Sequence, residues 1–255
     1  MRFEKWHALG NAYLLVAADD NGALSVERVR RLCDGQTGIG SDGILEILER
    51  DDHGAAVRVW NPDGSVTEMS GNGTRIAAAW LLREVGAGKV EIRTGGRTVQ
   101  AEAGRKGLVR QSLGEAAVAA DLSLDVAGER LVVIPVDLGN PHAVVLRDEL
   151  SGDDLRRLGP ALESHPAFPN RTNVQLARLD HRDAVSVLVW ERGAGETASS
   201  GSSAAAVAAA GVARGWCDSP VRIVMPGGEL HAWIDGRRVS LEGPAEHICT
   251  GTTSL

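Results

Sequence analysis

The fold is decided by MSGNGTRIAAAWLLREVGAG at residues 69–88, together with its counterpart SSGSSAAAVAAAGVARGWCD at residues 199–218. Each segment places a serine and a glycine before small residues and then an apolar run. The serines are Ser70 and Ser200, which are 130 positions apart in a chain of 255 residues. Because self-similarity at a fixed offset indicates a repeated structural unit, the sequence predicts two equivalent halves.

Each half is predicted to be a sheet around a central helix. The run rich in Ala, Val, Ile and Leu that follows each serine has little polar surface, so both helices should be buried. Strands are predicted where β-branched segments are bounded by Gly, Pro, Asp or Asn. These segments are AAVRVW at 55–60, VEIR at 90–93, RLVVIPVDL at 130–138, AVSVLVW at 184–190 and VRIVM at 221–225.

The overall composition predicts a soluble, folded protein, and its charge favours a small-molecule ligand. Hydrophobic residues make up 43% of the chain and charged residues 24%, which is ordinary globular usage. The net charge of −7 disfavours a nucleic-acid partner, because binding to phosphates requires a basic face. No apolar run reaches the length of a membrane span, and the start MRFEKWHALG lacks a signal-peptide core, so we expect a cytoplasmic location and no membrane partner.

The sequence predicts no cofactor and no metal site. The glycine-rich stretch TGIGSDG at 37–43 lacks the spacing of a dinucleotide-binding loop, and no P-loop is present. Cys33, Cys217 and Cys249 have spacings that form neither a disulfide framework nor a zinc motif. We interpret the three cysteines as buried or inert thiols.

The two helix N-termini are candidate anion sites. The first amides of a helix carry partial positive charge and suit a carboxylate or a phosphate. Two such termini, one in each half, suggest that both halves bind the same anion. The alternative is that Ser70 and Ser200 are only N-caps, a position at which serine is among the preferred residues.

Polar residues recur just after predicted strands, where pockets are commonly built. An amino-acid ligand would provide an ammonium for Glu191 and a carboxylate for Arg192, which is suited to bidentate recognition. The alternative is an ion pair between these two residues. The motifs are WNPDG with Asn61 and Asp63, GNPH with Asn140 and His142, FPNRTN with Asn170, Arg171 and Asn173, and WERGAGE with Glu191, Arg192 and Glu196.

Over nearly its whole length the chain resembles the diaminopimelate epimerase family. The matching stretches are FEKWHALGNAYLL, TGIGSDGIL, WNPDGSVTEMSGNGTR, VDLGNPHAVV, FPNRTNV, VWERGAGET, VMPGGELHAW and GPAEH. The resemblance implies an α/β (α+β) fold of two pseudo-symmetric domains, each a curved mixed β-sheet wrapped around a central hydrophobic helix. We place them at residues 1–114, to which about 246–255 return, and 115–245. A homodimer is a further expectation, for which no sequence feature identifies an interface.

The resemblance also implies roles for individual residues. The reacting α-carboxylate would be held by Gly71, Asn72, Gly201 and Ser202. The distal end of the substrate would contact Asn61, Asn140, Asn173, Glu191 and Arg192, with Asn11 also lining the pocket. This set suits an amino acid with a second charged end, as in diaminopimelate.

The chain departs from the family pattern at its acid/base positions. Family members invert the α-carbon with two cysteines, and here these positions hold Ser70 and Ser200; Ser203 and Ala12 stand where glycine and aspartate are common. A thiol has a pKa of about 8.5 and bulk water, a comparable O–H acid, about 15.7, a gap on the order of 10 kcal/mol. A helix dipole contributes about 1–2 kcal/mol and cannot close this gap. An adjacent base could, and His142, Glu191 and Glu196 are the candidates by motif.

Three interpretations remain open from the sequence. The chain is an epimerase of LL-diaminopimelate or a related amino acid in which serine was substituted for cysteine, a natural serine variant that catalyses a different isomerisation, or a non-catalytic amino-acid-binding protein of the same fold. We favour an epimerase-type isomerase, with Ser70, Ser200, Glu191 and His142 as its candidate catalytic residues.

Overall fold

The computed structural model describes residues 1–18 and 23–255. The chain divides into two compact units, of which the first is Met1–Gln111 with Glu242–Leu255 and the second is Ser112–Leu241. The boundary predicted at Gly114 lies inside the strand Val109–Glu115, which carries the chain from the first unit into the second. None of the described helices is long and apolar enough to cross a membrane.

The described residues form nineteen strands and four α-helices, with a short 3₁₀ turn at Arg105–Gly107. The helices are α1 (Val26–Cys33), α2 (Gly71–Val85), α3 (Gly152–Glu163) and α4 (Gly201–Ala213). The strands are β1 (Arg2–Ala8), β2 (Asn11–Ala17), β3 (Ile44–Arg50), β4 (Gly54–Trp60), β5 (Val66–Thr67), β6 (Lys89–Thr94), β7 (Arg97–Ala103), β8 (Val109–Glu115), β9 (Ala117–Val118), β10 (Leu122–Val126), β11 (Glu129–Asp137), β12 (Pro141–Leu146), β13 (Asn173–His181), β14 (Ala184–Glu191), β15 (Gly195–Thr197), β16 (Val221–Met225), β17 (Gly228–Asp235), β18 (Arg238–Gly243) and β19 (Glu246–Thr252). All five predicted strand segments are strands.

The two units repeat one pattern of strand pairing. In the first unit β1 and β2 are antiparallel, β2 and β3 parallel, β3 and β4 antiparallel, β4 and β5 antiparallel, β4 and β6 parallel, and β6 and β7 antiparallel. In the second unit the same six pairings join β11 to β12, β12 to β13, β13 to β14, β14 to β15, β14 to β16, and β16 to β17. The predicted fold of two pseudo-symmetric units with mixed sheets is confirmed.

Helices make the parallel connections in both units, because a parallel pair requires a crossover. Helix α1 connects β2 to β3 and α3 connects β12 to β13, while α2 and α4 precede β6 and β16. Strand β19 returns to the first unit, where it pairs with β1 in an antiparallel ladder. The repeated serine segments thus occupy equivalent places in equivalent units.

The helices α2 and α4 form the centres of the two units, as the sequence predicts. In α2 the side chains of Ile76, Ala77 and Leu81 are fully buried and pack into the core that the first unit's strands form. In α4 every residue from Ser203 to Gly211 is buried, and the helix packs against strands β11 to β14, β16 and β17. A helix that is apolar all round must be enclosed, which explains the absence of a polar face.

Close packing fixes the end of β14, the strand that leads into the WERGAGE motif. A Cβ atom on Gly159 of α3 would lie 2.7 Å from the indole of Trp190. This glycine therefore allows α3 to lie against Trp190, the residue that precedes Glu191.

We predict that Gly159→Ala lowers the free energy of unfolding. Overpacking against the indole costs about 1–3 kcal/mol, which exceeds or cancels the gain of about 1 kcal/mol that alanine brings to a helix interior. Urea denaturation measures the difference. Gly88→Ala is the matched control, because a Cβ there meets no atom within 4 Å. A stabilised Gly159→Ala protein would contradict the packing.

Candidate functional site

Ser70 is the N-cap of α2 and has an extended backbone, with φ −133° and ψ 119°. Its Oγ accepts a hydrogen bond of 3.0 Å from the amide of Gly73. The same Oγ lies 3.0 Å from Oη of Tyr13. Ser70 is partly exposed, whereas Tyr13 is buried. The N-cap interpretation of Ser70 is confirmed, and the serine has an additional hydroxyl partner.

The first turn of α2 is held by buried polar contacts. The backbone oxygen of Gly71 accepts a hydrogen bond of 2.7 Å from Nε2 of Gln111. The Oε1 atom of Gln111 accepts from Oγ1 of Thr74 at 3.0 Å. The first amides of a helix have no acceptor within the helix, so those of Gly71 and Asn72 are suited to a ligand carboxylate.

Asn72 and Asn11, two predicted binding residues, are in contact. The Nδ2 atom of Asn72 donates to Oδ1 of Asn11 at 3.2 Å. The Oδ1 atom of Asn72 accepts from a terminal nitrogen of Arg75 at 2.9 Å, and Nε of Arg75 donates to the backbone oxygen of Pro244 at 3.0 Å. Asn61 lies in the turn after β4 and donates from Nδ2 to Ser65. Among the residues that the structure describes, Asn61 forms no hydrogen bond to Ser70.

Arg75 is a fully buried cation near the start of α2. Within the described ranges no carboxylate lies within ion-pair distance of it, and its Nη1 atom has no hydrogen-bond partner. Burial lowers the pKa of Arg75 to about 10, so the guanidinium stays charged at neutral pH. This positive charge adds to that of the helix N-terminus and favours an anion there.

Ser200, the N-cap of α4, has a similar backbone conformation, with φ −148° and ψ 121°. Its side chain does not accept from a helix amide. It hydrogen-bonds to the carboxylate of Glu191, to which Oγ1 of Thr197 also donates at 3.1 Å. The N-cap interpretation therefore accounts for the backbone of Ser200 and not for its hydroxyl.

Glu191 is the candidate base that reaches a serine. Burial raises the pKa of its carboxyl, although the hydrogen bonds from Thr197 and Ser200 partly oppose the shift. A carboxylate with a raised pKa is a stronger base than an exposed one. Glu196 is exposed instead and forms an ion pair of 3.0 Å with Arg156.

His142 is buried and engaged on both ring nitrogens. Gln175 donates from Nε2 to Nδ1 of His142 at 3.0 Å, which leaves the Nε2 proton of the ring to bond Oδ1 of Asn140 at 3.1 Å. Burial, with a smaller effect of the Arg192 charge, lowers the pKa of His142 to about 3. The imidazole is therefore neutral at pH 7. Gln175 also donates to Oγ of Ser203 at 2.9 Å.

Asn173 and Arg192 belong to one hydrogen-bonded group. The Nδ2 atom of Asn173 donates to the backbone oxygen of Pro141 at 3.0 Å, and its Oδ1 atom accepts from the amide of Arg192 at 3.0 Å. The guanidinium of Arg192 is exposed and donates to the backbone oxygen of Asn170. In the described chain it forms no ion pair with Glu191, so that alternative is wrong.

The Arg192 guanidinium lines a pocket of about 650 Å³ in the second unit. Asn140, His142 and Arg171 contribute to the same wall. Gly201 is buried as the first residue of α4, and Ser202, its second residue, is partly exposed. The second unit thus contains three candidate binding groups: the N-terminus of α4, the carboxylate of Glu191 and the guanidinium of Arg192.

The cysteines agree only in part with expectation. Cys33 and Cys217 are buried, and burial raises the pKa of Cys217 to about 11. Cys249 is exposed on β19, so of the two expected alternatives, a buried or an inert thiol, the first is wrong for this residue. Among the residues described there is no cluster of His, Cys, Asp and Glu that could hold a metal.

Sequence reasoning missed Tyr13 and Arg75. Both lie in stretches that were identified, GNAYLL and SGNGTR, and both contact a residue that was predicted to function. The available signal was their residue type, since a tyrosine hydroxyl and an arginine in otherwise apolar surroundings require partners.

Comparison with known proteins identifies relatives of the whole chain. The family model described as diaminopimelate epimerase matches residues 3–118 and 134–248. The chain is 38% identical to a diaminopimelate epimerase from Desulforudis audaxviator and 34% identical to one from Carboxydothermus hydrogenoformans, in each case over 98% of both chains. A solved structure of a probable proline racemase from Agrobacterium radiobacter has the same fold, with a TM-score of 0.74 at 17% identity over 100% of this chain and 93% of that one.

We predict that Glu191→Gln stabilises the protein at neutral pH. A carboxyl whose folded pKa is raised keeps its proton longer in the folded state than in the unfolded state. Stability is therefore lost as the pH rises from the unfolded pKa through the folded pKa. Glutamine carries no charge to bury and still offers an oxygen to Thr197 and Ser200.

The measurement is urea unfolding as a function of pH. The excess stability of Glu191→Gln should grow from acidic to neutral pH, while Glu196→Gln, at the exposed ion pair, should show no such growth. A variant that is less stable than the parent at pH 7 would show that the carboxylate is not penalised by burial.

Proposed function

Because this chain belongs to the diaminopimelate epimerase family, we propose that it inverts the α-carbon of LL-diaminopimelate or a closely related amino acid without pyridoxal phosphate. The observation that carries the proposal is the partly buried carboxylate of Glu191, whose pKa a hydrogen bond from Ser200 lowers. It gives a proton acceptor to one of the two positions at which the family uses cysteine.

The Glu191 carboxylate removes the main objection to serine chemistry. When the Ser200 hydroxyl takes the α-proton, its own proton passes to Glu191, so that no alkoxide forms. The avoided cost is on the order of 10 kcal/mol, from the gap of about seven pKa units between an alcohol and a thiol. The carboxylate is still a weaker base than the thiolate that it replaces. A carboxyl pKa lies about 4 units below that of a thiol, which corresponds to about 6 kcal/mol for complete proton transfer.

Burial reduces that deficit. A raised pKa brings the carboxyl closer to the thiol that it replaces. Proton transfer in a transition state is incomplete, so that only part of the difference enters the barrier. We therefore expect turnover that is measurable and slower than that of a cysteine form.

The proposed binding contacts follow the polarity of the two helix N-termini. Within its own unit each helix start is suited to a carboxylate, at Gly71 and Asn72 in α2 and at Gly201 and Ser202 in α4, because helix dipoles favour an anion there. The buried charge of Arg75 adds to the potential on the α2 side. The far end of the substrate is bound by amide side chains and by Arg192, whose guanidinium is exposed and suited to a carboxylate. The amide side chains are those of Asn11, Asn61, Asn140 and Asn173.

A second candidate is an isomerisation of a different acid by the same groups. It is favoured by the identity of the base, because a buried carboxylate next to a hydroxyl abstracts any sufficiently acidic proton beside a carboxylate. Substrate choice would then depend on the residues that bind the rest of the acid, of which Arg192 is the candidate cation. A purely binding role is the third candidate, and it predicts no proton exchange with any ligand.

We predict slow exchange of the α-proton of LL- and meso-diaminopimelate in deuterated buffer, followed by NMR. The Ser70→Cys, Ser200→Cys double variant should exchange at least tenfold faster, because thiols restore the stronger base. Ser25→Ala is the control for a change of N-cap outside the site, since Ser25 caps α1. If neither the parent nor the double variant exchanges either isomer, diaminopimelate is not the substrate.

We further predict that Arg192→Ala weakens binding of diaminopimelate by about 1.5–3 kcal/mol, the usual value of a hydrogen bond to a charged group. Isothermal titration calorimetry measures the affinity. Arg182→Ala is the matched control, because Arg182 is an exposed arginine paired with Asp218. Equal affinities of the parent and Arg192→Ala would remove this residue from the substrate contacts.

A further inference from the structure

Tyr13 is a buried phenol whose oxygen contacts the serine at the other acid/base position. Its ring is 7% exposed, and its Oη lies 3.0 Å from Oγ of Ser70. It is also the only tyrosine in the sequence. Nothing in the proposed mechanism so far explains why a hydroxyl is buried at this place, where phenylalanine would fill the same volume.

The loop TGIGSDG holds the phenol ring in position. Asp42 accepts a hydrogen bond of 2.7 Å from the amide of Ala12 through Oδ2, and its own amide donates to the oxygen of Ala12 at 2.8 Å. A Cβ atom on Gly43 would lie 2.7 Å from a ring carbon of Tyr13. The acidic residue fixes the backbone next to Tyr13, and the glycine leaves room for its ring.

The hydrogen bonds of Ser70 leave one position open on its hydroxyl. A hydroxyl has one proton and two lone pairs. The amide of Gly73 occupies one lone pair, and Tyr13 occupies a second position as donor or acceptor. When Tyr13 donates, the Ser70 proton is available to a ligand; when Tyr13 accepts, a lone pair of Ser70 is available. The first state delivers a proton to the substrate, and the second becomes a proton acceptor only when Tyr13 is a phenolate.

We propose that Tyr13 is the proton reservoir of Ser70, so that the phenol and the serine together replace the thiol at this position. The inference rests on the proposed function and deepens it. Ser70 is the group that touches the substrate, because it is partly exposed. Tyr13 acts through Ser70 and is a positioning and relay residue.

Acidity explains why a phenol is suited to this role. A phenol has a pKa of about 10, which is about 1.5 units from a thiol, whereas an alcohol is about seven units away. Each unit corresponds to about 1.4 kcal/mol, so replacing an unassisted alcohol by a phenol relay recovers most of the lost acidity.

The proton balance closes without a further reactant. The α-proton moves to Ser200 as the Ser200 proton moves to Glu191, which leaves a carbanion on the substrate and a neutral carboxyl on Glu191. In the first unit the Ser70 proton moves to the carbanion as the Tyr13 proton moves to Ser70, which leaves a phenolate on Tyr13. Proton exchange with solvent restores Glu191 and Tyr13, and the reverse sequence converts the product isomer back.

The first test is Tyr13→Phe in two backgrounds, measured as α-proton exchange and racemisation of diaminopimelate. In the Ser70 chain we expect a loss of about 10²-fold or more in kcat, the usual contribution of a general acid or base, with little change in KM. In the Ser70→Cys chain the thiol carries its own proton, and the loss should be below about threefold. Equal losses in both backgrounds would mean that Tyr13 is only structural, and no loss in the Ser70 chain would overturn the relay.

The second test follows the phenol directly. Because Tyr13 is the sole tyrosine, the near-ultraviolet absorbance of phenolate reports its titration without interference. The alkaline limb of the pH–rate profile of the parent should have the same midpoint as this absorbance change, and a limb with that midpoint should be absent from Ser70→Cys, Tyr13→Phe. Different midpoints would contradict the proposal.

The outcomes separate the two proposals. Exchange by Ser70→Cys, Ser200→Cys with none by the parent overturns the Tyr13 relay and leaves diaminopimelate as the substrate. Exchange by neither protein contradicts the proposed function and this inference with it. Melting temperatures of all variants, measured alongside, show whether a loss reflects folding.

Discussion

The structure depends on where its two central helices begin. Helices α2 and α4 lie inside their units, and a buried helix must satisfy its first amides with a side chain or a ligand. A serine in extended conformation ends the preceding segment and starts the helix in both units. The position of this serine therefore fixes the direction of the helix dipole and the place at which free amides are presented. The strands that enclose the helix follow the same order in both units.

The two helix starts share a backbone and differ in the use of the hydroxyl. Ser70 accepts from Gly73 in its own helix and so contributes to the stability of α2. Ser200 makes no such bond, and its hydroxyl is committed to Glu191. A duplicated scaffold has thereby acquired one neutral and one acidic neighbour, a phenol and a carboxyl. Inversion needs one group that removes a proton and one that delivers a proton, and a carboxyl and a phenol differ in intrinsic acidity in the sense that these two tasks require.

The sequence predicts what depends on local pattern. The repeat, the five strand segments and the buried helices are all legible from the order of apolar and small residues, and Ser70 as an N-cap follows from its residue type. The Tyr13–Ser70 contact joins positions 57 residues apart, and it requires the pairing of strands around α2 to be known. No local pattern contains that information.

The sequence alone also could not identify which of the three candidate residues is the base. His142, Glu191 and Glu196 each follow a strand and carry a proton-accepting group, so that their motifs are equivalent. Burial and partners separate them: His142 is neutral between Gln175 and Asn140, and Glu196 is held by Arg156 at the surface. Of the three, only Glu191 is partly buried and bonded to one of the two N-cap serines. The same limit applies to Cys249, which is exposed on a strand whose burial its neighbours in sequence do not reveal.

Replacing a cysteine thiol by a serine hydroxyl preserves the shape of the side chain. It also means that the acidic proton must come from a neighbouring group. Serine has nearly the volume of cysteine and is the better N-cap, so that α2 and α4 start as they would with sulfur. A hydroxyl also makes shorter and stronger hydrogen bonds than a thiol, which is a weak donor and a weak acceptor. It can therefore couple to a neighbouring titratable group, which a thiol, acidic in itself, does not need. In the proposed mechanism the group that holds the proton is one hydrogen bond away from the serine, at Glu191 in one unit and at Tyr13 in the other. The rate of proton transfer then depends on how rigidly these two neighbours are positioned. In the first unit the loop that contains Asp42 and Gly43 positions the phenol ring.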